Sequence, residues 1–228
     1  MDPQVMKQKM KEARGIPYMA EFKHFMRTMQ GFTDDDFAAP VSPLKKKVLA
    51  ARETDPLAMF ERIMDEATRE WTNPNPLPVN TEWHHFIIPG VIIAALRNNG
   101  YAFTDKDVEE AMFRGEKVAG GSCGFMGTCG GACSVGIVGS MVKRTNPIWE
   151  QERSDVFRLA AGTLNRIAEY PRRCCKRSSY IALAEAIEFL QNNGFGKIPQ
   201  NAIVCKWSTQ NGMCLGVKCP FHAGRQKA

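Results

Sequence analysis

Apolar residues recur at helical spacing along most of the chain, and almost nowhere do they alternate as a half-buried strand requires. Tyr18 to Gln30 carries Met19, Phe22, Phe25, Met26 and Met29 on one face, behind a charged segment that runs from Asp2-Pro3 to Gly15-Ile16-Pro17. The two read as an amphipathic helical arm. Ser42-Pro43 and Asp55-Pro56 pair a capping side chain with a proline whose missing amide costs nothing at a helix start. They predict helices reaching about Glu53 and Trp71. Phe86 to Leu96 and Ala132 to Val142 are apolar all round, which predicts buried helices. A helix from Glu82 should stop at Asn98-Asn99-Gly100, and a second should run from Thr104 through Phe113. The same Asn-Gly stop closes the segment from Cys174 to Asn193, which, like Ser154 to Tyr170, has long helical periodicity. Ala202 to Trp207 is the one short strand candidate.

The predicted fold is therefore mainly α: a compact helical domain with a glycine-rich cysteine loop and an irregular cysteine-rich tail. Three prolines in Asn73-Pro-Asn-Pro-Leu-Pro forbid regular structure and suggest a boundary. The reading places a helical arm over 1–72 and the cysteine-rich domain over 80–223.

With 228 residues, 44% of them hydrophobic and 24% charged, the chain can bury its own core, which excludes a disordered or fibrous protein. A net charge of +6 spread over that length is too weak to imply nucleic acid. The most apolar runs have eleven residues where a membrane span needs about 20. The amino terminus has the charge pattern of no secretory signal, so a cytoplasmic protein is expected. In a reducing compartment eight cysteines are more naturally metal ligands or working thiols than disulfides.

Those cysteines are absent from the first 122 residues and then fall in three groups. Cys123, Cys129 and Cys133 lie where eight of the twenty residues from 120 to 139 are glycine. Stripped of bulk, such a loop lets amides, notably those of Gly130 and Gly131, approach a cofactor closely. Beyond it Ala132, Gly136 and Ser140 put small side chains on one helix face, suited to close packing. Cys174 and Cys175 open a predicted helix among Arg172, Arg173, Lys176 and Arg177, and the six residues 172–177 contain no acid. Positive charge and a helix amino end both favour thiolate. Neighbouring thiols strain to ligate one ion, so the two are expected to differ in role. Cys205, Cys214 and Cys219-Pro220, with His222 nearby, form the third group.

Thiolate softness and the lack of any Cys-x-x-Cys pair favour an iron-sulfur cluster over zinc, which stays as the alternative. One [4Fe-4S] cluster or two can be supplied. The preferred ligands are Cys123, Cys129, Cys133 and Cys219, with Cys205 and Cys214 as further ligands. Cys174 and Cys175 are then working thiols, or ligands of a second cluster. A cluster with three thiolates leaves one iron open to a small anionic substrate, for which Arg172, Arg173 and Arg177 are the anchors. His84 and His85 sit about 100° apart on a helix, so only one faces the site, and His85 is the candidate proton carrier. The rival reading is a non-enzymatic assembly or accessory protein with a structural metal, docking on a larger enzyme or redox partner through Phe22, Met26 and Met29 of the arm.

Gly127-Thr-Cys129-Gly-Gly-Ala-Cys133-Ser-Val-Gly136 and the Cys174-Cys175 pair resemble the redox-active proteins named for a GCAxxG element. Gly131 stands where that spelling has cysteine. The chain is more similar to an uncharacterised cysteine-rich domain of anaerobes, through His84-His85 with Pro89-Gly90, Cys123 to Ser134, Cys174 to Ser179, and Cys219-Pro220 with His222. That resemblance covers roughly 80 to 223 and implies an oxygen-sensitive, metal-bearing domain, sometimes found beside methyltransferases, without a settled reaction.

Overall fold

A computed structural model describes residues 3–225. The chain is a bundle built around one helix. The elements run α1 (Pro3–Arg14), α2 (Met19–Met29), α3 (Asp34–Ala38), α4 (Val41–Ala50), α5 (Pro56–Arg69), α6 (His84–Asn98), α7 (Asp105–Glu116), α8 (Ser122–Phe125), α9 (Gly130–Lys143), α10 (Glu150–Ala168) and α11 (Cys175–Asn192). Three short 3-10 turns follow, Ser208–Gln210, Gly216–Lys218 and Ala223–Arg225.

Helix α6 is the axis because its sequence is apolar on every side. Ile87, Ile88, Val91, Ile92, Ile93 and Leu96 are all fully enclosed, by α4, α5, α7, α9 and α11. Burying each such side chain contributes about 1.5–3 kcal/mol relative to leaving it exposed. Pro89 lies inside this helix and has no amide to give the carbonyl of His85, four residues earlier. Ser134 of α9 supplies the missing donor: its hydroxyl is shared between the His85 carbonyl at 3.2 Å and the Gly130 carbonyl at 2.7 Å. Proline in α6 thus fixes where α9 docks.

Several expected ends are in place. Thr104 forms a reciprocal capping box with Asp107, Asp55 accepts the Leu57 amide at 2.8 Å, and Gly100 and Gly194 take the left-handed conformation that ends α6 and α11. Other expectations are corrected. Helix α4 starts at Val41 after Pro40, ahead of the Ser42-Pro43 signal, and ends at Ala50. Helix α10 begins at Glu150, and the short α3, opened by a Thr33–Asp36 capping box, was not foreseen. Ala202 to Trp207 is not a strand; only Cys205 makes a bridge, to His222, since no second extended segment lies alongside to continue the pairing.

The proline connector at 73–78 separates no core. Leu44 and Val48 of α4, and Met59, Phe60 and Ile63 of α5, are buried in one cluster with α6. The short amino-terminal helices sit on that body: Arg27 of α2 lies 4.3 Å over the Phe37 ring and bonds Glu82 at 2.9 Å. Among the described residues no helix is long and apolar enough to cross a membrane.

Candidate metal and thiol sites

The ends of α9 and α11 bring the cysteines together. Cys129 is the residue just before α9, and Cys174 and Cys175 are the last extended and first helical residues at the start of α11. At Cys174 the backbone is extended (φ −156°, ψ 103°), and at Cys175 it has turned helical. Two adjacent side chains therefore leave the chain in different directions, and each joins a different group of thiols.

Cys175 faces a hollow of about 500 Å³ lined also by Cys123, Cys129, His85, Arg173 and Gly130. The loop that carries Cys123 and Cys129 turns tightly at Gly121 and Gly127, both at positive φ, and leaves Cys123 exposed at the rim. Burial pushes the Cys175 thiol up to about 11, against the opposing pull of Arg173. Burial also acts against the charge of Arg173, but the thiols of Cys175, Cys123 and Cys129 outweigh it and hold the guanidinium above its ordinary range. Arg173 is reached by solvent through the hollow that it lines, and among the described residues no carboxylate pairs with it.

His85 enters the same hollow with a fixed tautomer. Its Nδ1–H donates to the Val118 carbonyl at 2.8 Å, which leaves the Nε2 lone pair free. Burial lowers its pKa, so the neutral ring is favoured. The ring lies against the backbone of Gly130: a methyl group there would stand 2.0 Å from Cδ2 and 2.3 Å from Nε2. Only glycine allows the histidine and α9 to meet in this way. His84, next along, turns instead into the core, where Nδ1 meets Thr81 and burial holds its pKa well below the usual value.

Cys133 does not line this hollow; it sits one turn into α9 with its sulfur 3.4 Å from the Thr128 hydroxyl. The arginines divide similarly. Arg177 is buried, its guanidinium on the carbonyls of Tyr170 and Arg172 and over the Tyr170 ring at 5.1 Å, so it staples the loop entering α11 while lining the hollow. Arg172 also lines the hollow, but is exposed and reaches the Cys214 carbonyl at 3.5 Å.

Cys174 also borders the hollow, but its sulfur is held on the other side. Its sulfur accepts from Asn211 Nδ2 at 3.2 Å and from the Arg177 amide at 3.4 Å, on the side of a small cavity of about 10 Å³. Cys205, Cys214, Cys219 and His222 line that cavity too. The preferred quartet of Cys123, Cys129, Cys133 and Cys219 is therefore not assembled: Cys219 belongs to the second group, because the tail folds against the opposite side of the start of α11. Burial raises both Cys174 and Cys205.

Lys176 also lines the small cavity. Its ammonium is fully buried without a hydrogen-bond acceptor, 4.0 Å from the Trp207 ring centre and 5.1 Å from that of Phe60. Burial brings its pKa down to about 7. Nothing in a basic turn distinguishes an enclosed lysine from a solvated one, so the sequence offered no signal for it. Asn211 and Trp207 flank a short turn of the irregular tail, where no periodicity marks which side chains face inward.

All eight cysteines are free. Among the described residues no three His, Cys, Asp or Glu side chains stand at a spacing that encloses an ion without side-chain movement. A further crevice of about 340 Å³ between Pro43 and Trp83 carries neither thiol nor histidine.

A family model described as "Family of unknown function (DUF5714)" matches residues 44–222, from α4 across the proline connector to the last residue of the small cavity. No curated protein and no solved structure matches the chain.

Proposed function

The chain belongs to the DUF5714 family of unknown function, and we propose that within it this protein binds an iron-sulfur cluster for redox or sulfur chemistry. One observation carries the proposal: three free thiols from two separate segments, Cys123 and Cys129 of the glycine-rich loop and Cys175 of α11, line one open hollow of about 500 Å³ beside an arginine without a carboxylate partner. That volume is the size of a small-molecule site, and soft thiolate donors select iron-sulfur clusters and zinc over hard cations. The three cysteines would hold the cluster, which supplies electrons or, at an iron lacking a protein thiolate, a Lewis acid. The surrounding residues account for the rest. Arg173 draws a small anion toward the thiols, the amides opening α9 add a positive end, and the neutral Nε2 of His85 is placed to take a proton from the bound molecule. Thiols of this kind suit a reducing, cytoplasmic setting and an anaerobe.

The test is anaerobic purification and reconstitution with iron and sulfide, read by iron and sulfide content and visible absorption. The sulfur-to-iron absorption should disappear in Cys123→Ser, Cys129→Ser and Cys175→Ser and survive in Cys133→Ser. A colourless protein, or colour that depends on Cys133 and not on Cys175, overturns the proposal.

A further inference from the structure

The tail has its own chemistry, independent of the hollow. We propose that Cys174, Cys205, Cys214 and Cys219 form a second site that holds a single zinc ion and ties the irregular segment 199–225 to α11.

Four thiols are the full complement of a closed tetrahedral zinc site, and all four line one cavity. Its size selects the occupant. About 10 Å³ is room for one water-sized body, so a lone ion fits where a cluster of several irons and sulfides does not. Among single divalent ions, zinc binds a given site more tightly than ferrous iron.

Donors already point at the sulfurs. The Arg177 amide and Asn211 Nδ2 reach Cys174, and the Gly216 amide reaches the Cys214 sulfur at 3.4 Å. N–H groups aimed at sulfur stabilise thiolate, the form that binds metal. Charge gives an independent argument. Four thiolates and one Zn²⁺ sum to −2, and the fully buried ammonium of Lys176, without an acceptor of its own, lies on the wall of the same cavity. A buried cation is costly unless it faces negative charge, and the Glu61 carboxylate nearby offsets the burial of Lys176 only in part. Binding is balanced by the release of four thiol protons, with no change in oxidation state.

The segment needs such a tie. Between Asn193 and Arg225 the described chain has three 3-10 turns and one bridge, Cys205 to His222, with the Cys205 amide on the Phe221 carbonyl at 2.7 Å. Three of the four thiols belong to this segment, Cys205 on the bridge and Cys214 and Cys219 either side of the turn Gly216–Lys218, so modest rotation there draws them inward.

The experiment uses the full chain. Zinc is counted by elemental analysis after dialysis, and Co²⁺ added to chelator-treated protein reports tetrahedral thiolate ligation by its absorption. One equivalent of zinc should remain in the Cys123→Ser/Cys129→Ser/Cys175→Ser protein, which has lost the hollow's thiols, and should be lost in Cys205→Ser and Cys219→Ser. Zinc that follows the triple variant, or that persists in Cys205→Ser, overturns the proposal. Should the serine variants fail to fold, the wild-type chain serves: chelation should raise the rate of proteolysis within 199–225 at least tenfold, and Zn²⁺ should restore it. An unchanged cleavage rate also overturns it.

Discussion

Gly130→Ala should destabilise the protein, although alanine is the better helix former. The added methyl group would stand 2.0 Å from Cδ2 of His85, where ordinary contacts begin near 3.4 Å. The ring or the start of α9 must therefore give by 3.4 − 2.0 = 1.4 Å. The ring cannot swing aside freely, because its Nδ1–H is bonded to the Val118 carbonyl, and losing that bond costs about 1 kcal/mol. Moving α9 instead strains the Ser134 contact with the His85 carbonyl. Overpacking of this kind costs about 1–3 kcal/mol, or roughly 2–12 °C in melting temperature for a chain of this length. The control is Gly162→Ala, in the exposed middle of α10, where nothing lies within 4 Å of the new methyl. There only helix propensity changes, and a gain of up to about 1 kcal/mol is expected. Thermal unfolding of both variants followed by circular dichroism decides the matter. If Gly130→Ala melts at or above the parent temperature, the packing of His85 against α9 is wrong.

In the metal-free protein Lys176→Met should stabilise the fold, since it removes a buried charge without an acceptor. The sign with pH follows from a lysine pKa lowered to about 7 against the ordinary 10.5: the unfolded chain holds the extra proton between these values, so stability rises from pH 7 upward. Above about pH 9 Cys175, raised to about 11, opposes the gain, because the unfolded thiol ionises first. Denaturant melts from pH 6 to 9 should rise in the parent and stay flatter in Lys176→Met; equal slopes would refute the assignment. With zinc present the same substitution should weaken affinity about tenfold, measured by chelator competition. Glu82→Gln removes the carboxylate that pairs with Arg27 at 2.9 Å and Lys23 at 3.5 Å, so α2 should lift from the Phe22–Phe125 contact. Faster alkylation of Cys123 is the readout, and an unchanged rate would show that the arm does not shield it. Asp55→Ala deletes the α5 cap and should cost about 1 kcal/mol in denaturant unfolding.

Helices were legible because periodicity and caps are local. Thr104, Asp55 and the Asn-Gly stops act within a few residues, so the same signals mark the same ends in space. The strand expected near Ala202 failed because a strand needs a partner, and β-branched residues do not supply one. The exposed arm was readable as amphipathic, but not that its apolar face would rest on Phe125 and Gly121 of the same chain. The thiols were legible as chemistry but not as sets. Separating Cys219 from Cys129 depends on which side of α11 the tail folds, a tertiary choice that spacing does not encode. One local clue did exist: Pro171 and the basic run placed the start of α11, and a residue just before a helix projects differently from the first one within it.

That single step in backbone conformation has a consequence for how the protein tolerates change. One extra residue slipped in after Arg173 would keep all eight sulfurs and leave the core composition untouched. With the preceding loop held in place, it would nonetheless move Cys174 into the position of Cys175 and Cys175 into that of Lys176, so the sulfur that Asn211 now holds would leave the small cavity. The boundary between them is one peptide unit thick, and the register of a helix start decides what each contains.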